Sequence, residues 1–95
     1  MTYRLTRSAW LAATIVFAAA LMLYVRTLAP TLTWAHSGTD GGDLTTATAI
    51  LGVPHPPGYP TYVTLGHLFA QLPIHTVAYR LNLMSAICTA LAAAL

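Results

Sequence analysis

Two aspartates separated by two glycines are the residues of this chain best suited to chemistry. They lie in Thr39-Asp40-Gly41-Gly42-Asp43-Leu44 and are the only acidic residues among 95. Glycine allows the backbone angles and close approach of a turn that presents both carboxylates to one ligand. A carboxylate there can act as a general base towards a hydroxyl, or bind a divalent cation. The alternative is that Asp40 or Asp43 only caps a following helix.

A second candidate is the string Gly52-Val53-Pro54-His55-Pro56-Pro57-Gly58-Tyr59-Pro60. Its prolines and glycines predict a stiff, non-helical crossing between two helices. Within it, His55 can donate a hydrogen bond to phosphate or transfer a proton, because imidazole titrates near physiological pH. The alternative is a rigid connector in which His55 is an ordinary polar turn residue.

Arg80 and the other histidines are weaker candidates. Arg80 stands before an apolar segment, where it can bind a lipid phosphate or serve only as an interfacial anchor. His36 could join Asp40 and Asp43 around a metal, but the histidines follow no zinc-binding spacing, so no metal site is predicted. The sequence requires no cofactor, and nothing supports a divalent cation beyond the two acids. The single cysteine, Cys88, excludes an intrachain disulfide.

The elements that must position these residues have the composition of a membrane protein. Charged residues make up 6% of the chain, against about 25% in soluble domains. Apolar residues make up 57%, and the mean hydropathy is +0.66. Six charges cannot cover the surface of a soluble globule. The composition therefore excludes a free-standing soluble domain, a nucleic-acid binder and a disordered tail.

The hydropathy pattern predicts an all-α fold, a polytopic membrane protein fragment with two transmembrane helices joined by an outer loop. Arg4 and Arg7 place the N-terminus in the cytoplasm and the loop outside, by the positive-inside rule. We expect an integral membrane protein; a bacterial plasma membrane is implied only by the family resemblance described below. The predicted segments are the cytoplasmic residues 1–7, a first transmembrane helix at 8–28, a non-cytoplasmic loop at 29–79 with short or interfacial helices at about 44–51 and 59–72, and the start of a truncated second transmembrane helix at 80–95.

The two ends of the chain allow other interpretations. The first apolar stretch could be a signal peptide cleaved near Ala18 to Ala20, although it is longer than the usual apolar region of about 7 to 15 residues. The last stretch, Leu81 to Leu95, would form about 22 Å of helix, which is short for a bilayer. We therefore expect the chain to be the N-terminal piece of a larger multi-pass protein.

Four strings occur in this order from about residue 24 onward: Tyr24 to Trp34, Asp40-Gly41-Gly42-Asp43-Leu44, Leu51 to Pro60, and Tyr79-Arg80-Leu81-Asn82-Leu83-Met84-Ser85-Ala86. In these strings the chain resembles the N-terminal region of the protein O-mannosyltransferase-like membrane family, many of whose bacterial members are catalogued as a domain of unknown function. That family is similar to the GT-C glycosyltransferases, which are multi-pass helical enzymes.

The resemblance implies roles for five residues. An acidic residue in the first outer loop of such enzymes is the usual catalytic base, which corresponds to Asp40. Asp43 stands where the family pattern has a second acid, usually glutamate, and is the other catalytic candidate. His55, Tyr59 and Arg80 match positions expected to bind the donor phosphate.

The implied activity is transfer of a mannose-like sugar from a polyprenyl-phosphate donor to an acceptor hydroxyl on the non-cytoplasmic face. The expected partners are the lipid bilayer and that donor; the acceptor is left open, and no nucleic acid is expected. We expect the 95-residue piece to be inactive alone. The alternatives are a small non-enzymatic membrane protein, complete at Leu95, with a structural or partner-binding role, and a secreted peptide.

Overall fold

The computed structural model describes residues 4–95, and the regular elements in that range are all helical. This confirms the predicted all-α fold. A short 3-10 helix, Ala35–Gly38, follows the first α-helix. The four α-helices of the described range are α1 (Arg7–Thr27), α2 (Gly41–Ile50), α3 (Pro60–Ala70) and α4 (Val77–Ala94).

Helices α1 and α4 are the two elements of the described range that are long and apolar enough to cross a membrane. At about 1.5 Å per residue, the 21 residues of α1 measure about 31 Å and the 18 residues of α4 about 27 Å. A bilayer core of about 30 Å accommodates both lengths. The prediction of two membrane-spanning helices agrees with this arrangement.

The last helix begins three residues before its predicted start at residue 80. Thr76 explains the difference, because its hydroxyl oxygen accepts a hydrogen bond from the Tyr79 N–H at 3.1 Å and caps the first turn. The Thr76 carbonyl then accepts the Arg80 N–H at 3.1 Å. Arg80 therefore lies inside the first turn of α4, and the helix is longer than its apolar run alone suggested.

The two short helices also differ from their predicted bounds. Helix α2 begins at Gly41 instead of residue 44, because Gly41 and Gly42 adopt helical geometry. It ends in a Schellman-type turn, in which the Leu51 N–H bonds to the Thr48 carbonyl and the Gly52 N–H to the Ala47 carbonyl. Helix α3 spans residues 60–70 instead of 59–72. The backbone N–H groups that directly follow it donate to carbonyls of its last turn, which ends the helix there.

The chain divides into two compact units. One contains α1 and residues 85–95, and the other is Leu28–Met84, with α2, α3 and the first turns of α4. In the second unit α2 packs against α3, and the buried side of this pair is formed by small residues. The buried residues of the second unit include Ala47, Thr48, Val63, Ala70, Ala78, Leu81 and Met84.

A hydrogen bond from His67 and a close contact at Gly66 help to hold α2 against α3. The His67 ring donates from Nδ1 to the Thr48 carbonyl at 2.8 Å, and the Thr48 hydroxyl donates to the Leu44 carbonyl at 2.6 Å. Thr48 is fully buried beside Gly66. A Cβ added at Gly66 would lie 2.6 Å from Thr48 Cγ2, so the two helices approach closely only because residue 66 has no side chain.

The segment that precedes α2 is attached to the start of α4. The Thr76 hydroxyl donates to the Pro30 carbonyl at 2.9 Å, and the Asn82 amide donates to the Ala29 carbonyl at 3.1 Å. These bonds satisfy backbone acceptors of an irregular segment. They fix the entry of the loop that carries the two aspartates.

Candidate functional site

Asp43 and His55 are joined by two hydrogen bonds to one carboxylate oxygen. The backbone N–H of His55 donates to Asp43 Oδ2 at 3.0 Å, and ring atom Nδ1 lies 2.6 Å from the same oxygen. Asp43 is in the first turn of α2, where the positive end of the helix dipole favours a carboxylate. The first turn of α2 is thereby tied to the proline-rich string, across twelve residues of sequence.

These bonds favour the ionised form of Asp43 and locate one proton on the His55 ring. The pKa of Asp43 is lowered from its ordinary 3.8, first by the backbone hydrogen bond from His55 and then by the bond from its ring. Asp43 is therefore an anion at neutral pH and can only accept hydrogen bonds. The proton of the His55–Asp43 bond must belong to Nδ1, which leaves Nε2 as the ring atom that faces other groups.

A pH dependence follows from the lowered pKa of Asp43. The stabilisation by this ionised carboxylate is fully present above the unfolded-state value near 3.8 and is lost as pH falls through the lower folded-state value. We expect Asp43→Asn to lower the thermal midpoint of the full-length protein at pH 6, and to lower it less at pH 3. A midpoint difference that is the same at both pH values would contradict this expectation.

Asp40 occupies the N-cap position of α2 without capping it. Its backbone has φ −112° and ψ −12°, and its side chain makes no capping hydrogen bond. Its Oδ1 lies 3.6 Å from His55 Nε2, and its side chain is 54% exposed. The Asp40 carboxylate therefore does not cap α2, which was the alternative interpretation of the sequence, and it is accessible to a ligand.

Tyr59 is the fourth residue of a cluster with Asp40, Asp43 and His55. It contacts the imidazole at Nε2, the ring nitrogen that does not bond to Asp43. Its hydroxyl lies 3.3 Å from His55 Nε2, and the two rings meet edge to face with centroids 5.3 Å apart. Tyr59 is held there by a turn in which Gly58, at φ +90°, donates its N–H to the His55 carbonyl. Pro60, the first residue of α3, follows directly. Four of the five predicted site residues, Asp40, Asp43, His55 and Tyr59, thus lie together.

Arg80 makes its hydrogen bonds elsewhere. Its guanidinium donates from Nη1 to the Ala70 carbonyl at 2.6 Å, from Nε to the Ile74 carbonyl at 2.5 Å and from Nη2 to the His75 carbonyl at 2.9 Å. These carbonyls belong to the end of α3 and the connector to α4, so Arg80 satisfies backbone acceptors that the helix leaves open. A guanidinium has five N–H donors, so Arg80 has two N–H groups in addition to the three that make these bonds.

The remaining histidines are accounted for differently. His67 bonds to α2, and the His75 ring stacks on Tyr79 with centroids 4.3 Å apart. The side chain of His36 lies outside the described residues, as does any part it has in a metal trio. Within the residues that the structure describes, no group of three histidine, cysteine or acidic side chains is arranged to hold a metal ion.

An open groove of about 340 Å³ lies beside the cluster and was not predicted from the sequence. Most of its lining is apolar and comes from both ends of the proline-rich string and from the start of α3. Val53 projects here with 90% of its surface exposed. The feature of the sequence that could have indicated this groove is the placement of apolar residues around the glycines and prolines of the string. The lining residues are Leu51, Gly52, Val53, Pro57, Gly58, Pro60, Val63 and Thr64.

Comparison with known proteins identifies the class. Residues 40–95 match the family described as Protein O-mannosyl-transferase TMEM260 N-terminal domain. The matched region contains the whole cluster and extends through α4. The chain belongs to this O-mannosyltransferase family, as the sequence resemblance predicted.

Two curated relatives carry the same name. The chain is 43% identical over 81 residues to Protein O-mannosyl-transferase TMEM260 of Mus musculus, an alignment that covers 84% of this chain and 11% of the relative. It is 35% identical over 74 residues to Protein O-mannosyl-transferase tmem260 of Dictyostelium discoideum, covering 75% and 8%. The chain thus spans about a tenth of the length of these relatives. No solved structure matches it significantly.

Proposed function

We propose that this chain supplies part of the active site of an integral membrane mannosyltransferase. The intact enzyme moves a mannose-like sugar from a polyprenyl-phosphate donor to an acceptor hydroxyl, by chemistry of the GT-C type. Two findings support this proposal: the family membership of residues 40–95, and the two helices of the described range that are long and apolar enough to cross a bilayer. The relatives' name specifies the transferred group and an oxygen acceptor.

The observation that carries the proposal is the unequal environment of the two carboxylates. Asp43 accepts two N–H donors from His55, which makes it a weak base with a lowered pKa. Asp40 makes no side-chain capping bond and is more exposed, so its oxygens can reach an incoming hydroxyl. One site therefore holds two carboxylates with different tasks, and we assign the general base to Asp40.

The proposed reaction is a direct displacement. Asp40 removes the proton of the acceptor hydroxyl while the hydroxyl oxygen bonds to the anomeric carbon of the sugar. The bond between that carbon and the phosphate oxygen breaks, and its electron pair stays on the polyprenyl phosphate. Asp43 remains ionised throughout and holds the loop in place.

The donor phosphate needs hydrogen-bond donors as its charge develops. Tyr59 can supply its O–H to the phosphate by giving up its bond to His55 Nε2, and Arg80 has two N–H groups beyond the three that bind carbonyls. His55 can donate to phosphate only when Nε2 carries a proton, because Nδ1–H is held by Asp43. We therefore propose Tyr59 and Arg80 as the phosphate contacts once the donor is bound, with His55 joining them when Nε2 is protonated.

The proposed topology places the N-terminus in the cytoplasm and residues 29–79 on the non-cytoplasmic face. Arg4 and Arg7, at the N-terminal end of α1, support this orientation. The polyprenyl chain of the donor would then lie in the same bilayer as the two apolar helices.

A transfer assay tests the proposal. The full-length protein is placed in liposomes with radiolabelled mannosyl-phosphoryl-polyprenol and a detergent extract of membrane proteins from the host that expresses it. We expect label to appear in protein, and the polyprenyl phosphate to be released in equal amount. A nucleotide-activated mannose serves as the comparison donor and should give no direct transfer. Transfer from the nucleotide sugar alone would contradict the proposed donor class.

A further inference from the structure

The bond pattern around His55 gives this ring a task that neither the family nor the relatives' names assign. Its Nδ1–H is fixed on Asp43 Oδ2 at 2.6 Å, and its backbone N–H is fixed on the same oxygen at 3.0 Å. Because the backbone and the ring of His55 both bond to one oxygen atom of Asp43, the ring has little freedom to rotate. The other ring nitrogen, Nε2, is consequently held in one direction.

That direction leads to two groups, Tyr59 and Asp40. The Tyr59 hydroxyl donates to Nε2 before the reaction, because the ring proton is on Nδ1. His55 Nε2 lies 3.6 Å from Asp40 Oδ1, and the Tyr59 hydroxyl lies 3.3 Å from the same nitrogen. The edge-to-face contact with Tyr59 supports the ring from its side. Catalytic hydrogen bonds are often longer before the substrate binds, so a distance of 3.6 Å is compatible with proton transfer in the loaded site.

We propose that Asp43 and His55 form a positioning dyad for Asp40, in which His55 Nε2 takes over the proton that Asp40 removes from the acceptor hydroxyl. The dyad thus rests on the proposed role of Asp40 as base. Ionised Asp43, bonded at the opposite ring nitrogen, favours this transfer because it stabilises the positive charge that protonation of Nε2 places on the ring. The imidazolium is stabilised by ionised Asp43 and finally releases the proton to water.

The proton balance is complete without a further reactant. Asp40 begins as a carboxylate, becomes a carboxylic acid as the acceptor oxygen bonds to the sugar, and returns to a carboxylate when Nε2 accepts the proton. His55 begins neutral with Nδ1–H, becomes a cation with Nε2–H, and returns to neutral by donating Nε2–H to water. The electron pair of the broken carbon–oxygen bond leaves on the polyprenyl phosphate.

Chemical rescue of the full-length protein tests this proposal. His55→Ala should lower the initial rate at saturating mannosyl-phosphoryl-polyprenol about 100-fold, with little change in the donor concentration that gives half the maximal rate. The site is open, since the His55 side chain is 39% exposed, so added imidazole can reach the space left by the ring. A series of substituted imidazoles should restore the rate, and the stronger bases should restore it more.

A second variant guards against a folding defect. His55→Asn keeps an amide N–H near the position of Nδ1 that can still bond to Asp43, but it has no basic nitrogen near Asp40. We expect a membrane level close to that of the unmodified protein and a rate as low as that of His55→Ala. His67→Ala is the matched control, because this ring also lies in the second unit but bonds to the Thr48 carbonyl. Its rate per molecule should not respond to imidazole.

The results distinguish failure of the dyad from failure of the proposed role of Asp40 as general base. A His55→Asn protein that transfers mannose at more than a tenth of the unmodified rate would overturn the dyad, as would rescue that is independent of base strength. Failure of the role of Asp40 is recognised independently, by retained transfer in Asp40→Asn. An inactive Asp40→Asn protein together with an active His55→Asn protein would keep the base and remove the dyad.

Discussion

Asp40→Asn in the full-length protein is expected to lower mannose transfer by a factor of about 100 to 10,000 while leaving its level in the membrane unchanged. The rate falls because an amide cannot accept the hydroxyl proton, and a positioned general base contributes a factor of this size. The fold persists because Asp40 makes no side-chain capping bond, and asparagine is equally favourable at an N-cap. Initial rates per molecule, with immunoblots of membrane fractions, measure both quantities.

Two comparisons sharpen the result for Asp40. Thr46→Ala changes an exposed residue of α2 and should leave both the rate and the membrane level as they are. Asp43→Asn should lower both, since it weakens the attachment of the proline-rich string to α2 as well as the dyad. Transfer by Asp40→Asn above a tenth of the unmodified rate would remove Asp40 from the mechanism.

Gly66→Ala is expected to destabilise the protein, although alanine is normally the better helix former. Alanine in a helix gains up to about 1 kcal/mol over glycine. At residue 66, however, its Cβ would lie 2.6 Å from Thr48 Cγ2 and 2.9 Å from Leu81 Cδ2, both of them in buried residues. Overpacking of this kind costs about 1 to 3 kcal/mol, so the clash outweighs the propensity. The thermal midpoint of the full-length protein should fall.

The same substitution at Gly42 provides the matched control. A Cβ added there meets nothing within 4 Å, so Gly42→Ala should raise the midpoint or leave it unchanged. Adding Thr48→Ser to Gly66→Ala removes the methyl group at 2.6 Å and keeps the hydroxyl that bonds to Leu44, so it should recover part of the loss. Equal midpoints for Gly66→Ala and the unmodified protein would contradict the close approach of α2 and α3.

The sequence predicted the helical class because this depends on local composition. Long uncharged runs, and glycine and proline between them, determine the number of helices without reference to distant contacts. The helix bounds were less predictable. The start of α4 depends on a hydroxyl cap at Thr76, and the end of α2 depends on Leu51, which adopts φ +54° where glycine is usual.

The sequence indicated candidate site residues but not the contacts between them. The spacing of Asp40 and Asp43 allows both carboxylates to face one ligand, with helix capping as the alternative. The structure instead turns Asp43 towards His55, which a sequence pattern cannot show, since the contact spans twelve residues and depends on the path of four prolines. Because Asp43 pairs with His55, the carboxylate of Asp43 is engaged in hydrogen bonds and that of Asp40 is left accessible.

Arg80 illustrates a further limit of sequence reasoning. An arginine before an apolar run suggests a lipid or phosphate contact, and its position alone cannot reveal unpaired carbonyls. Three such carbonyls, at Ala70, Ile74 and His75, converge on its guanidinium. These acceptors exist only because α3 ends before a connector that cannot pair them within its own backbone.

The backbone conformation of Tyr59 lowers the stability of the fold while it positions a side chain of the proposed site. Its φ of +44° is a left-handed conformation that costs a non-glycine residue about 1 to 3 kcal/mol, and the residue before a proline is further restricted. A sequence selected for thermal resistance alone would carry glycine or asparagine here. Stabilising screens of this protein should therefore enrich substitutions at residue 59, and those variants should lose the hydroxyl beside His55. Improved heat tolerance and transfer activity would then be opposed at a single position.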